Sequence, residues 1–252
     1  MNILVSGWPG VGQTTLSLLL AKNFNFTHLQ GSNTFRYIWK GLGLDKTAED
    51  RVKADELVQN YWGKIYEKYV DYALVNDDKF VLESDIAGFR DTDKRKIFSI
   101  FLIANNEVRD KRLISDKRGD EIKTLIERDL MLKREYKELF NADFFDLDKI
   151  KINYSFLLDS SELNISLELE IVYTNMFKQG FLDRNHFTNL MNDIDNEQSN
   201  YEKNGKAWYV NYLTENKLIP GAEEIIKKIR SAFKDEINNL PNEIKKIIYD
   251  IA

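Results

Sequence analysis

Cysteine is absent from this 252-residue chain, and histidine occurs only twice, as His28 and His186. The first absence excludes disulfides, thiolate nucleophiles and cysteine-ligated metal, and the second leaves little for a zinc centre. The metal this composition leaves room for is magnesium, held by oxygen ligands and substrate phosphates. No stretch approaches the roughly 18 to 20 apolar residues that span a bilayer. The opening MNILVSG has neither the basic n-region nor the cleavage site of a secretory leader. A cytoplasmic protein with no membrane partner is expected. A basic excess is missing too: 36 Lys and Arg against 41 Asp and Glu give a formal net charge of −5. Without a positive field to gather nucleic acid, the expected partners are small molecules. What is present is 43% hydrophobic residues, enough to fill the core of one good-sized domain, with or without an appendage.

Short apolar runs alternate with longer stretches of helical period. NILVS (2–6) ends in Gly-Trp-Pro-Gly and reads as a buried strand closed by a turn, and TTLSLLLAKN (14–23) comes next with helical spacing. A second helix is expected from about Thr47 to Asn76, then strands at KFVLE (79–83) and KIFSIFLIA (96–104). Residues 107–140 read as helix, break and helix, NYSFLLD (153–159) as a last strand, and a helix begins near Asn164. Strands separated by helices imply an α/β fold with a mostly parallel sheet and helices on both faces. Beyond about Met176 the chain becomes polar, asparagine-rich and aromatic, and then supplies two amphipathic stretches at 221–233 and 241–251. The expected organisation is a first domain over 1–176 and a helical C-terminal extension over 177–252, the latter a possible protein-binding element.

GWPGVGQTT (7–15) has the spacing of a phosphate-binding loop between strand and helix, with Gln13 where such loops carry lysine. Gly7, Gly10 and Gly12, with Val11 between them, permit a tight path that turns backbone N–H groups and the helix N-terminus toward phosphate. Thr14 stands where a hydroxyl ligates magnesium, and Thr15 is the next residue in the first helical turn. An ordinary glycine turn is the plainer alternative. Glutamine offers a neutral amide on a shorter stem, so ATP binding tolerates the exchange better than phosphoryl transfer does. Three explanations of Gln13 are open: another cation replaces the charge, the protein binds without catalysing, or the lysine was replaced deliberately.

The surrounding motifs resemble those of cytidylate kinase-like nucleoside monophosphate kinases, a branch of the P-loop NTPases, over roughly residues 1–175. GSNTFRYIWKGLGL (31–44) is similar to the segment that places an arginine on the acceptor phosphate, here Arg36. FVLESDIAGF (80–89) is similar to the strand and turn carrying a second acceptor arginine, with Ser84 and Asp85 in place of glycine and arginine. NEVRDKRLISDKRGD (106–120) and IERDLMLKREYKELFNADFFDL (126–147) resemble the lid and the segment after it. The resemblance implies catalytic roles for Arg109, Arg112, Arg118, Arg128 and Arg134, with Tyr136 as their aromatic neighbour. Spread guanidinium charge suits a loose, metaphosphate-like transition state. The alternative for any one of them is a solvent-facing charge on an amphipathic helix.

Glu83 and Asp85 lie at a strand end, where either carboxylate can hold magnesium through water, and Asp85 can equally cap the next turn. Trp8, Trp39 and Trp62 either pack or stack a base, and His28 reads as structural. The first functional reading is a kinase moving the ATP γ-phosphate to CMP, dCMP or a related monophosphate. A catalytically degenerate nucleotide-binding protein that works through a partner is the second, and a P-loop kinase with another acceptor is the third.

Overall fold

The computed structural model describes residues 1–44, 58–85, 87–90, 96–115, 125–141 and 143–251. Five strands form one sheet in the order β2-β3-β1-β4-β5, with β1 (Asn2–Gly7), β2 (Thr27–Gln30), β3 (Phe80–Glu83), β4 (Ile97–Ile103) and β5 (Phe156–Asp159). β1 pairs in parallel with β3 and with β4, and β4 pairs in parallel with β5. β1 and β4 are buried along nearly their whole length, as continuous apolar runs in the middle of a parallel sheet must be.

Side chains alternate across β4, so its aromatics serve opposite faces. Phe98 meets Phe181, whereas Phe101 packs with Phe144 and Tyr154. On the Phe101 face, Leu132 and Tyr136 of α5 (Leu125–Phe140), Phe144 and Ile150 close a cluster joined by Trp8. α4 (Asn106–Ser115) precedes α5, and the expected break of 117–120 lies outside the described residues. α6 (Leu147–Asn153), which the residue pattern does not separate from the next strand, is capped by Asp146 accepting from the N–H groups of Asp148 and Lys149.

By packing, the chain divides into one compact unit of residues 1–28 and 79–218 and a second of residues 29–78 and 219–252. The first unit contains α1 (Gln13–Phe24), α7 (Ile165–Lys178) and α8 (Arg184–Glu215). α8 is bent at Gly205, whose φ of 64° interrupts the helical path. It packs on α1 and α7, so this part of the extension belongs to the body that carries the sheet. Glu197, 2% exposed, pairs with Lys22 of α1 and accepts a 2.8 Å hydrogen bond from Tyr209 beyond the bend.

The second unit holds α2 (Ser32–Gly41), a π-helical turn at Gln59–Gly63, α3 (Lys64–Asn76), α9 (Ala222–Ala232), α10 (Lys234–Asn238) and α11 (Asn242–Tyr249). Of the helix expected from Thr47, residues 47–57 lie outside the described residues. Trp62 is fully buried here, its indole N–H donating to Thr34 Oγ1 at 3.1 Å, and it acts as a packing residue. α9 and α11 pack on α2, and a Cβ on Gly41 would stand 2.9 Å from Ile247, which explains the glycine at that crossing.

Candidate nucleotide site

β1 ends at Gly7, where a Cβ would lie 2.7 Å from the carbonyl oxygen of Leu102 in β4. The loop then turns with Gly10 at φ +82° and Gly12 at φ +95°, both left-handed, and Gly12 delivers the chain into α1. No side chain caps α1. Its first-turn N–H groups, which have no intrahelical acceptor, are therefore left for an anion.

The sequence-expected loop residues Gly7, Gly10, Val11, Gly12, Gln13, Thr14 and Thr15 thus form one strand-loop-helix turn. Gln13 Nε2 donates to the carbonyl of Val5 at 2.9 Å, so its amide is turned back along β1. Thr14 Oγ1 donates to Glu83 Oε1 at 2.6 Å, joining the first turn of α1 to the end of β3. This oxygen pair beside an uncapped helix N-terminus fits magnesium, which takes few protein ligands and completes its shell with phosphate and water. The other Glu83 oxygen faces His28 Nε2 at 3.2 Å, and His28 is 3% exposed on β2.

Two expected lid arginines are brought to the back of the loop. Arg109, 1% exposed, donates through Nε to Pro9 O at 2.8 Å and through both Nη atoms to Asp129 of α5 at 2.9 and 2.5 Å. Its guanidinium stands 5.4 Å from the Trp8 ring, and its backbone carbonyl would be 2.6 Å from a Cβ on Gly10. Trp8 turns inward, donating to Phe144 O at 3.1 Å and packing on Phe145, and so leaves the phosphate side of the loop. Arg112 donates to Val11 O at 2.9 Å and to Ser160 Oγ and O at 3.0 and 2.9 Å. One of its Nη atoms comes within 3.9 Å of the position a Gly12 Cβ would take. Behind it, burial pushes the Glu168 carboxyl up to about 7 despite the opposing charge of Arg112.

The remaining candidates are more scattered. Arg134 is exposed on α5, Arg128 lies on α5 with its side chain outside the described set, and Arg118 lies outside the described residues altogether. Asp85 accepts from Tyr136 Oη at 2.9 Å. Arg36 is exposed on α2 of the second unit. His28, Asp129 and Ser160 were not expected at the site, and no local motif marks them. Each arrives from an element distant in sequence.

The model of the AAA domain family matches residues 3–137, from β1 through the loop, α4 and most of α5. The chain is 29% identical over 182 residues to the cytidylate kinase of Methanocaldococcus jannaschii, covering 68% of this chain and 95% of that protein. It is 26% identical over 182 residues to the cytidylate kinase of Saccharolobus islandicus, covering 69% and 89%. With the cytidylate kinase of Methanococcus aeolicus it shares 29% identity over 183 residues, covering 68% and 95%. The family model takes in more than half of the chain, including the phosphate loop and the helix that backs it, so the protein belongs to the AAA domain family and within it is similar to cytidylate kinases.

Proposed function

We propose that the protein is a nucleoside monophosphate kinase that transfers the γ-phosphate of ATP to CMP, dCMP or a closely related monophosphate. The observation that carries this reading is the loop itself: two left-handed glycines lead into an uncapped helix whose Thr14 hydroxyl already meets Glu83. The choice of acceptor is supported by the relatives that carry the name cytidylate kinase.

In the reaction an oxygen of the acceptor phosphate attacks the γ-phosphorus in line. The bond from that phosphorus to the β,γ-bridging oxygen breaks, ADP departs and the acceptor becomes a diphosphate. The chain supplies position and charge. First-turn amides of α1 hold phosphate oxygens, and Thr14 and Glu83 would hold magnesium. When bound, magnesium neutralises charge on the β- and γ-phosphates. Because Gln13 is neutral and turned to Val5, the compensating charge close to Gly12 comes from Arg112. Arg109 holds the loop to α5, and the sequence resemblance implies lid roles for Arg118, Arg128 and Arg134 and acceptor roles for Arg36 and Asp85.

The test is ADP formation from ATP and magnesium over a panel of nucleoside monophosphates, with Gln13→Lys run beside the parent. The expected result is turnover with a cytidine monophosphate preferred, raised in the variant by on the order of 10²-fold, the usual worth of one preorganised transition-state donor. Silence from both proteins with every monophosphate would refute the reading.

A further inference from the structure

We infer that Ser160 is a positioning residue: its hydroxyl joins the Arg112 guanidinium to the Val11 carbonyl and so fixes both the guanidinium and the Gly12 amide for binding nucleotide phosphates. The loop motif does not assign this residue, and the family model ends before it, at residue 137. The inference rests on the nucleotide-binding reading of the loop and deepens it.

Ser160 is the first residue past β5 and is 1% exposed. Its N–H donates to Ile103 O at 2.8 Å, which ties it to the end of β4. The turn that follows is braced as well. Asp159 Oδ1 accepts from the N–H and the hydroxyl of Ser161 at 2.9 and 2.6 Å, and Ser161 Oγ accepts from the Asn105 N–H at 2.8 Å. On this support three hydrogen bonds close a triangle. Arg112 Nη1 donates to Ser160 Oγ at 3.0 Å and to Val11 O at 2.9 Å, and the Ser160 hydroxyl donates to the same Val11 O at 2.8 Å. That is the shorter of its two acceptor contacts, the other being Ile103 O at 3.3 Å. Ser160 O accepts from Arg112 Nη2 at 2.9 Å, so one residue holds both Nη atoms.

A guanidinium carries five N–H donors in one plane. Ser160 occupies the edge between the two Nη atoms, and Val11 O takes the remaining N–H of Nη1. The edge left over holds Nε–H and the second N–H of Nη2, which make no hydrogen bond among the described residues. Such a side-by-side pair matches two oxygens of one phosphate. The Val11 carbonyl acts through its peptide. In a trans peptide the C=O and the following N–H point in opposite directions, so holding Val11 O on the Ser160 side turns the Gly12 N–H to the other side. Without the hydroxyl, Val11 O loses one of two donors and Nη1 one of two acceptors. The charge of Arg112 stays, but its aim is loosened.

The test is equilibrium binding, by calorimetry, of an ATP analogue with an imido bridge between the β- and γ-phosphates, in the presence of magnesium. Melting curves without nucleotide establish that each variant is folded. Ser160→Ala, which removes only the hydroxyl, should weaken binding about 10-fold, the lower end of what a hydrogen bond to a charged group contributes. Ser160→Thr keeps the hydroxyl and should stay within about threefold of the parent. In an Arg112→Met background, Ser160→Ala should cost about threefold or less, because the two residues act as one unit. Arg112→Lys, which lacks the planar fork, replaces methionine in this comparison if the latter does not fold.

The inference is overturned if folded Ser160→Ala binds the analogue as the parent does, or if folded Ser160→Thr is as weak as the alanine variant. It is also overturned if the Ser160→Ala loss is equal with and without the guanidinium, which would make the hydroxyl a packing group only. A parent that does not bind the analogue removes the nucleotide reading and this inference with it, whereas a parent that binds keeps the former and tests only the latter.

Discussion

Replacing Arg109 by methionine removes the charge that joins the loop to α5 and leaves a side chain of similar length. Four contacts disappear: two to Asp129 at 2.9 and 2.5 Å, one to Pro9 O at 2.8 Å and one to Asn106 Oδ1 at 3.2 Å. Breaking a buried ion pair from one side typically costs about 3 to 5 kcal/mol, mostly because the remaining charge is left uncompensated. Here the two sides differ. Asp129 is 20% exposed and can recover water, whereas Arg109 is 1% exposed and cannot. The Arg109→Met cost should therefore fall near the lower end, about 3 kcal/mol, or a melting temperature lowered by roughly 6 to 12 °C for a protein of this size. Asp129→Leu strands the buried guanidinium and should cost more, toward about 5 kcal/mol. The double variant, with no charge left, should be more stable than Asp129→Leu alone. Urea denaturation of the three variants checks this order. A loss below about 1 kcal/mol for Arg109→Met, or a milder effect from Asp129→Leu than from Arg109→Met, would refute the argument that burial of the guanidinium sets the energetics.

Gly10→Ala places a Cβ 2.6 Å from the Arg109 carbonyl at a φ of +82°, so it should destabilise by about 1 to 3 kcal/mol and weaken ADP binding; calorimetric titration and denaturant midpoints report both. Glu168, with its carboxyl pushed up to about 7 from the usual 4.5, keeps its proton in the folded protein over a range where the unfolded chain has lost it. Its contribution is thus present below about pH 4.5 and lost as pH rises through about 7. Glu168→Gln, which copies the protonated form, should match the parent at pH 4.5 and exceed it by roughly 3 kcal/mol at pH 8; equal stability at both pH values would contradict this. In the α1–α8 contact, Lys22→Met leaves the 2%-exposed Glu197 carboxylate uncompensated and should cost about 3 to 5 kcal/mol. Glu197→Gln keeps an acceptor for Tyr209 and leaves Lys22, 18% exposed, able to hydrate, so it should cost less by thermal denaturation.

Much of the fold was legible along the chain. Strands β1, β3 and β4 were expected as apolar runs and occur within one or two residues of those bounds, because a central parallel strand needs burial on both faces and composition alone announces it. The glycine loop was legible for a similar reason: positive φ at Gly10 and Gly12 is a property of single residues, visible without partners. α8 was less legible. Its asparagines and aromatics obscure the helical period, and what holds it is a tertiary cluster in which its own Glu197 and Tyr209 meet Lys22 of α1, 175 residues before Glu197.

By itself, then, the sequence determined the α/β architecture, the phosphate loop and the identity of Gln13, all of which depend on local composition and spacing. Only the tertiary structure decided what the charges do. It turned Gln13 back to Val5, spent Arg109 on Pro9 and Asp129, and clamped Arg112 to Val11 and Ser160. It also brought His28 to Glu83. The reason is physical: an arginine, histidine or carboxylate has the same valence in any chain, and its role depends on which distant atoms burial sets within hydrogen-bond reach.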